Sequence, residues 1–142
     1  MVRNDISMVR QQIYIHRYHW NVIVYYDTTY RDAYRILDEL DDIGVDDATY
    51  SKAKRNLVAG MVDTGLTFSN PEERTSVMVL SRTSTKAEFA NTWIHELLHC
   101  AEHIALACGL DPNGEPKAYV GGELARAMQP VAARFMCPTC NG

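Results

Sequence analysis

The stretch Thr83–Leu110, TSTKAEFANTWIHELLHCAEHIALACGL, decides how the rest of the chain is read. Phe89, Trp93, Leu97, Ala101, Ile104 and Cys108 recur every three or four residues, and Ile94, Leu98 and Ala105 widen the same stripe. That spacing predicts a long amphipathic helix packed centrally. Thr85-Lys86-Ala87-Glu88 has the pattern of a capping box, with the Thr85 hydroxyl accepting from the first turn and Glu88 reaching back. Gly109 supplies a stop.

Outward from this helix, the preceding residues read as sheet. VDTGLTFSN (62–70) and RTSVMVLSR (74–82) are short β-rich runs flanking Asn70-Pro71-Glu72-Glu73, which has turn chemistry and hairpin length, so the two are expected to pair antiparallel. Further back, HWNVIVYYD (19–27) is rich in Val, Ile and Tyr and predicts a buried strand, with Trp20, Tyr25 and Tyr26 as sheet core. Tyr30, Ala33, Tyr34, Leu37 and Leu40 then recur at helical spacing up to Gly44, and a weaker helix is expected over 47–59. After the turn Asp111-Pro112-Asn113-Gly114, Pro116 suits the first position of a last helix running to about Phe135. Strand, helices, hairpin, long helix, turn and helix make an α+β domain.

Within the long helix lies His95-Glu96-Leu97-Leu98-His99. Residues four apart share a helix face, so His95 and His99 are candidate ligands of one metal ion, zinc above all. Glu96 sits about 100 degrees round the helix, which suits it to receive a proton from a metal-bound water rather than to ligate. Zinc lowers the pKa of that water toward about 7, and a positioned carboxylate then acts as general base in attack on a carbonyl. Manganese or iron fits the same ligands.

A catalytic zinc site usually has three protein ligands and a water. His103 is two turns from His95 and drifts about 80 degrees round the helix, so it is read as an ordinary polar residue beside the site. In EPKAYVGGELARAM (115–128), Glu115 is the first choice for third ligand and Glu123 the second. Tyr119 is a candidate hydrogen-bond donor to a developing oxyanion. Gly121 and Gly122 are costly in a helix, and close approach of the long helix is the expected reason.

At these residues the chain resembles the zincin metallopeptidases of gluzincin type, in which HExxH is followed by a glutamate on the next helix; HELLH and EPKAY carry the likeness. It is most similar to compact peptidases encoded by phages and mobile elements, which have a similar ExxAY helix. The resemblance covers roughly 63–136. It implies a minimal zincin-like fold, with a small antiparallel or mixed sheet packed on the HExxH helix and the glutamate-bearing helix after it. It also implies a zinc-dependent peptidase, with His95, His99 and Glu115 on the metal, Glu96 as base, and a peptide substrate paired along the strand bordering the cleft. In the metzincin pattern Ala105 stands where a third histidine would be, which argues against that subclass. Two other readings stay open: a catalytically weak zinc-binding regulatory or interaction module on the same scaffold, and hydrolysis of a non-peptide amide or ester.

Composition narrows the classes further. The 142 residues, 46% hydrophobic and 23% charged, fit one globular domain spanning 1–142. A net charge of −4 argues against a dedicated nucleic-acid binder, and Arg3, Arg10, His16, Arg17 and His19 are too sparse to reverse that. The acidic run from Asp38 to Asp47 reads as a solvated helix end and loop. With no apolar run of about 20 residues and no basic-apolar leader, neither a membrane span nor secretion is expected, and the expected setting is the cytoplasm. Cys100 is read as a small core residue. Cys137 and Cys140 form a C-x-x-C that is half of a zinc or redox pair, which a homodimer could complete, or simply two free thiols.

Overall fold

The computed structural model describes residues 8–58 and 65–136. Its centre is the run WNVIVYY, which forms β2 (Trp20–Thr28) and lies beside β4 (Thr75–Ser81) in a parallel pair. β1 (Val9–Ile15) and β3 (Gly65–Asn70) add antiparallel edges, giving the order β1-β2-β4-β3. A strand covered on both faces reads as a continuous apolar run, as both central strands do.

On one face, Trp20, Val22, Val24, Tyr26, Met78 and Leu80 pack against α3 (Lys86–Ala107) and α4 (Glu115–Met136). On the other, Ile23, Tyr25, Val77 and Val79 pack against α1 (Ala33–Asp42) and α2 (Asp47–Val58). The result is a mixed α+β architecture, as the sequence leads one to expect, with the HExxH helix and its successor on one side of a mixed sheet.

Three features were not foreseen. β1 has no strong strand signal, and its connection to β2 is a 3-10 turn (His16–Tyr18) closed by His19 at φ 49°, where no glycine or asparagine marks the reversal. Arg74, also at positive φ (48°) in the β3–β4 turn, donates to the carbonyls of Tyr18 and His19 and lies 5.4 Å from the Trp20 ring, so one side chain ties the two hairpin ends together. Asp27 (φ 61°) marks a bulge in β2 and accepts two bonds from Arg82, at 3.0 and 3.2 Å.

Several expectations are corrected. Thr85 does cap α3, accepting from the Glu88 amide at 3.1 Å, but no reciprocal bond from the Glu88 side chain forms among the described residues. α4 begins at Glu115, so Pro116 is its second residue. Ile94 and Leu98 are 47% exposed rather than part of the core stripe. The two helices do not press their backbones together at the double glycine: a Cβ on Gly121 would meet only the Leu97 side chain at an ordinary 3.6 Å, and one on Gly122 would meet nothing within 4 Å. Residues 59–64 of the expected helix end and first hairpin strand, and Cys137 and Cys140, lie outside the described residues.

A tight approach occurs instead at Gly65, where a Cβ would stand 2.1 Å from the Val79 carbonyl oxygen and 3.2 Å from Glu96 Cγ. Gly65→Ala is therefore expected to destabilise the protein by about 1–3 kcal/mol, as overpacking does. Gly122→Ala should stabilise it by about 1 kcal/mol, the helix-propensity difference in open space. Urea unfolding of both variants checks the pair, and equal effects would contradict this account.

Candidate metal centre

Successive residues of α3 point about 100 degrees apart, so His95, Glu96 and His99 divide between two directions. The histidines face outward, with the His95 side chain 58% exposed. Their Nε2 atoms converge to 3.2 Å, with the ring planes at 73 degrees and centroids 4.8 Å apart. Two nitrogens bound to one tetrahedral zinc at about 2.0–2.1 Å lie about 3.3 Å from each other, so the separation of this pair matches that of two ligands on a shared ion. The same contact serves the metal-free protein as a hydrogen bond in which one ring donates and the other accepts.

Glu96 turns the other way, into the seam between α3 and the edge strand β3, and is 2% exposed. The Thr67 hydroxyl donates to Glu96 Oε1 at 2.8 Å and lies 3.4 Å from the carbonyl oxygen of the same residue. Glu96 Oε2 lies 3.8 Å from His95 Nε2. One carboxyl oxygen is thus fixed by the strand while the other borders the histidine pair.

Seven residues along α3, His103 repeats the attachment. Its Nδ1 lies 2.7 Å from Ser69 Oγ, Ser69 Oγ is 2.6 Å from Ser76 Oγ, and Ser76 accepts from Trp20 Nε1 at 2.9 Å. Burial, and then the neighbouring His99, hold the His103 imidazole below its usual pKa. Cys100 is fully buried, and burial pushes its thiol up to about 12, which makes it an inert core residue.

The remaining candidates are not brought to the histidines. Among the described residues, no group of three or more His, Cys, Asp and Glu side chains is placed to hold a metal ion. Glu115 opens α4 at the end of the connection from the C-terminus of α3. Counted from the Gly121–Leu97 neighbourhood, it lies six residues, about 9 Å, toward the C-terminal end of α3 and away from His95. Glu123 is turned to Arg17 at 3.9 Å and Arg126 at 3.6 Å. Tyr119 is 61% exposed on α4.

Sequence reasoning missed Thr67 and Ser69. The signal was available in LTFSN: strand alternation sends Leu66 and Phe68 to the α1/α2 layer and leaves Gly65, Thr67 and Ser69 facing the motif helix. No protein-family model, curated protein or solved structure matches this chain.

The depressed His103 has a stability consequence with a definite sign. Its folded-state pKa lies below the unfolded value of about 6.5, so its contribution is complete above that pH and is lost as pH falls through the folded value. Denaturation midpoints of the metal-free protein should decline on acidification below about pH 6.5, and His103→Gln should flatten the decline. An equally steep decline in the variant would assign it to other groups.

Proposed function

We propose that the protein is a zinc-dependent hydrolase acting on peptide bonds, with His95 and His99 as metal ligands and Glu96 as general base. The observation that carries this reading is the pairing of two converging imidazole nitrogens, 3.2 Å apart, with a buried carboxyl whose Oε2 lies 3.8 Å from one of them. Zinc bound there would polarise a carbonyl and acidify a water. Glu96 Oε2 accepts the proton of the attacking water and returns it to the leaving amine. Thr67 keeps Oε1 occupied, so the carboxyl cannot turn away from the histidines without breaking a bond. The exposed imidazole side leaves room for substrate, and the outer edge of β3, unpaired among the described residues, runs beside it.

Glu115 is the proposed third protein ligand. Glu123 is engaged by two arginines, whereas Glu115 has no ion pair among the described residues and heads the helix that follows the motif. The first turn of α4 must move toward His99 for Glu115 to ligate. Tyr119, exposed four residues on, is the proposed oxyanion donor. Among the described residues no helix is long and apolar enough to cross a membrane, which suits a substrate met in solution.

Metal content tests the centre. In a tag-free protein with Cys137 and Cys140 replaced by serine, about one zinc per chain is expected; His99→Ala should lose it, Glu115→Gln should weaken it roughly tenfold to a hundredfold, and Glu123→Gln should leave it unchanged. A folded parent that takes up no zinc, even when supplied, would end the hydrolase reading. In the zinc-loaded protein, Glu96→Gln should keep the metal and abolish peptide cleavage. Thr67→Val should keep the metal and lower turnover roughly tenfold to a hundredfold, with Thr67→Ser restoring it. Full activity in Glu96→Gln would remove the assigned base, and unaltered zinc binding without any cleavage in the parent would favour a binding module.

A further inference from the structure

The seam between β3 and α3 does not end at the histidine pair. Beyond His99 it opens into a cavity of about 400 Å3 lined by Ser69, Pro71, His103, Leu106 and Ala107. That volume is within the range of ligand sites, roughly 300–1,000 Å3. The walls are apolar: Pro71 from the β3–β4 turn, and Leu106 and Ala107 from the last turn of α3. Leu106 is 57% exposed, although the sheet-facing apolar residues of the same helix, Phe89, Trp93, Leu97 and Ile104, are buried. A lone exposed leucine means little, but one that forms the wall of a cavity facing a proline offers a place for another apolar group.

Two polar atoms of the lining residues, Ser69 Oγ and His103 Nδ1, are already committed. The Ser69 hydroxyl is shared between Ser76 Oγ and His103 Nδ1, at 2.6 and 2.7 Å, and that chain ends on Trp20 Nε1 in the core. Ser69 is therefore not available as a partner for a charged ligand, and the imidazole ring is held in one orientation. A charged side chain entering here would lie against Pro71, Leu106 and Ala107 with only His103 Nε2 left to pair with. An aliphatic or aromatic one would lose nothing and would cover Leu106.

Position gives the cavity its role. The middle of the His95/His99 pair is at residue 97 and the cavity wall is at 103–107, so the two are separated by roughly 9–15 Å along the helix at 1.5 Å per residue. An extended chain covers that span in about three to four residues. β3 runs from Gly65, against Glu96, to Ser69, against His103, so its direction is from the base toward the cavity. A substrate strand added antiparallel to β3, the more stable pairing, runs from the cavity toward the base.

We propose that this cavity is a specificity pocket that receives a bulky apolar side chain, of leucine, methionine or phenylalanine type, about three to four residues N-terminal to the bond cleaved. The assignment rests on the hydrolase reading for its place in the substrate, but the binding of an apolar side chain does not. It makes the substrate an exposed, extended peptide segment with an apolar anchor upstream of the cleaved bond. Leu106 is the residue whose replacement changes the pocket with least harm to the fold, being more than half exposed.

Two measurements separate the pocket from the hydrolase reading. In the first, 15N-labelled metal-free protein is titrated with N-acetyl-leucine amide and, separately, N-acetyl-aspartate amide. Shifts confined to the amides of Ser69, His103, Leu106 and Ala107, given by the leucine probe alone and lost in Leu106→Asp, are expected. Shifts elsewhere, or none, or equal shifts with both probes, overturn the pocket. In the second, the zinc-loaded protein digests a randomised peptide library, and apolar residues should be enriched roughly tenfold at the third or fourth position before the cut, with the enrichment lost in Leu106→Asp. Cleavage without that enrichment overturns the pocket's role in specificity. An uncut library overturns the hydrolase reading and the substrate role together, while the first measurement still decides whether the cavity takes an apolar side chain.

Discussion

Burying a carboxyl group is costly unless it is hydrogen-bonded, and Glu96 is 2% exposed between a helix and an edge strand. Much of the local structure follows from meeting that requirement. β3 must present a donor at one position, and Thr67 supplies it at 2.8 Å. β3 must also lie close enough to reach, and Gly65 permits this by having no Cβ where one would strike the Val79 carbonyl and crowd Glu96 Cγ. Side chains alternate along a strand, so Thr67 toward the helix means Leu66 and Phe68 toward the opposite layer, where they pack with α1 and α2. A slip of one residue in the β3–β4 register would set Leu66 or Phe68 against the Glu96 carboxyl and Thr67 among apolar side chains. The hydrogen bond and the apolar packing thus specify the same register.

The rest of the sheet makes α3 a stable base for this seam. β2 and β4 are central and apolar on both faces, so they hold α3 and α4 on one side and α1 and α2 on the other. Phe89, Trp93, Leu97, Cys100, Ala101 and Ile104 are all buried, and they fix the rotation of α3 about its axis. Once that rotation is set, the 100-degree step sends Glu96 inward to β3 and leaves His95 and His99 outward. Ser69 and His103 repeat the attachment two turns on, so the helix and the edge strand are joined at two polar points seven residues apart on α3.

The parts of this arrangement that depend on periodicity were legible in the sequence. The central strand, the α1 and α2 helices, the β3–β4 hairpin and the extent of α3 follow from apolar spacing and from punctuation by Gly44, Pro71 and Gly109, although in α1 the buried face is Ala33, Ile36, Leu37 and Leu40, and Tyr30 and Tyr34 of the expected stripe are exposed. β1 was not legible, because VRQQIYI alternates weakly and its turn rests on a histidine at positive φ where turn chemistry would favour Gly or Asn. The widened stripe of α3 was overdrawn at Ile94 and Leu98, because periodicity records the width of an apolar face but not where the neighbouring helix ends. At the site, the local geometry of His95, Glu96 and His99 could be derived from helix spacing alone, whereas Thr67 depends on which strand pairs at the edge. The third ligand depends on the depth and direction of α4, which the spacing of Glu115 and Glu123 does not encode.

If zinc is bound as proposed, the choice lies between a hydrolase and a scaffold that only holds metal. A helix whose task was packing would be served at position 96 by an apolar side chain, since replacing buried ionisable groups with well-packed apolar ones is often neutral or stabilising by roughly 1–4 kcal/mol. A structural zinc clamp has no use for a carboxyl that stands beside its ligands without joining them. Here the carboxyl is buried, one of its oxygens is fixed by Thr67, and the other is 3.8 Å from His95 Nε2. A group that is expensive to bury and is held in one orientation next to two converging imidazoles makes sense as a proton acceptor, and that favours turnover over passive metal binding.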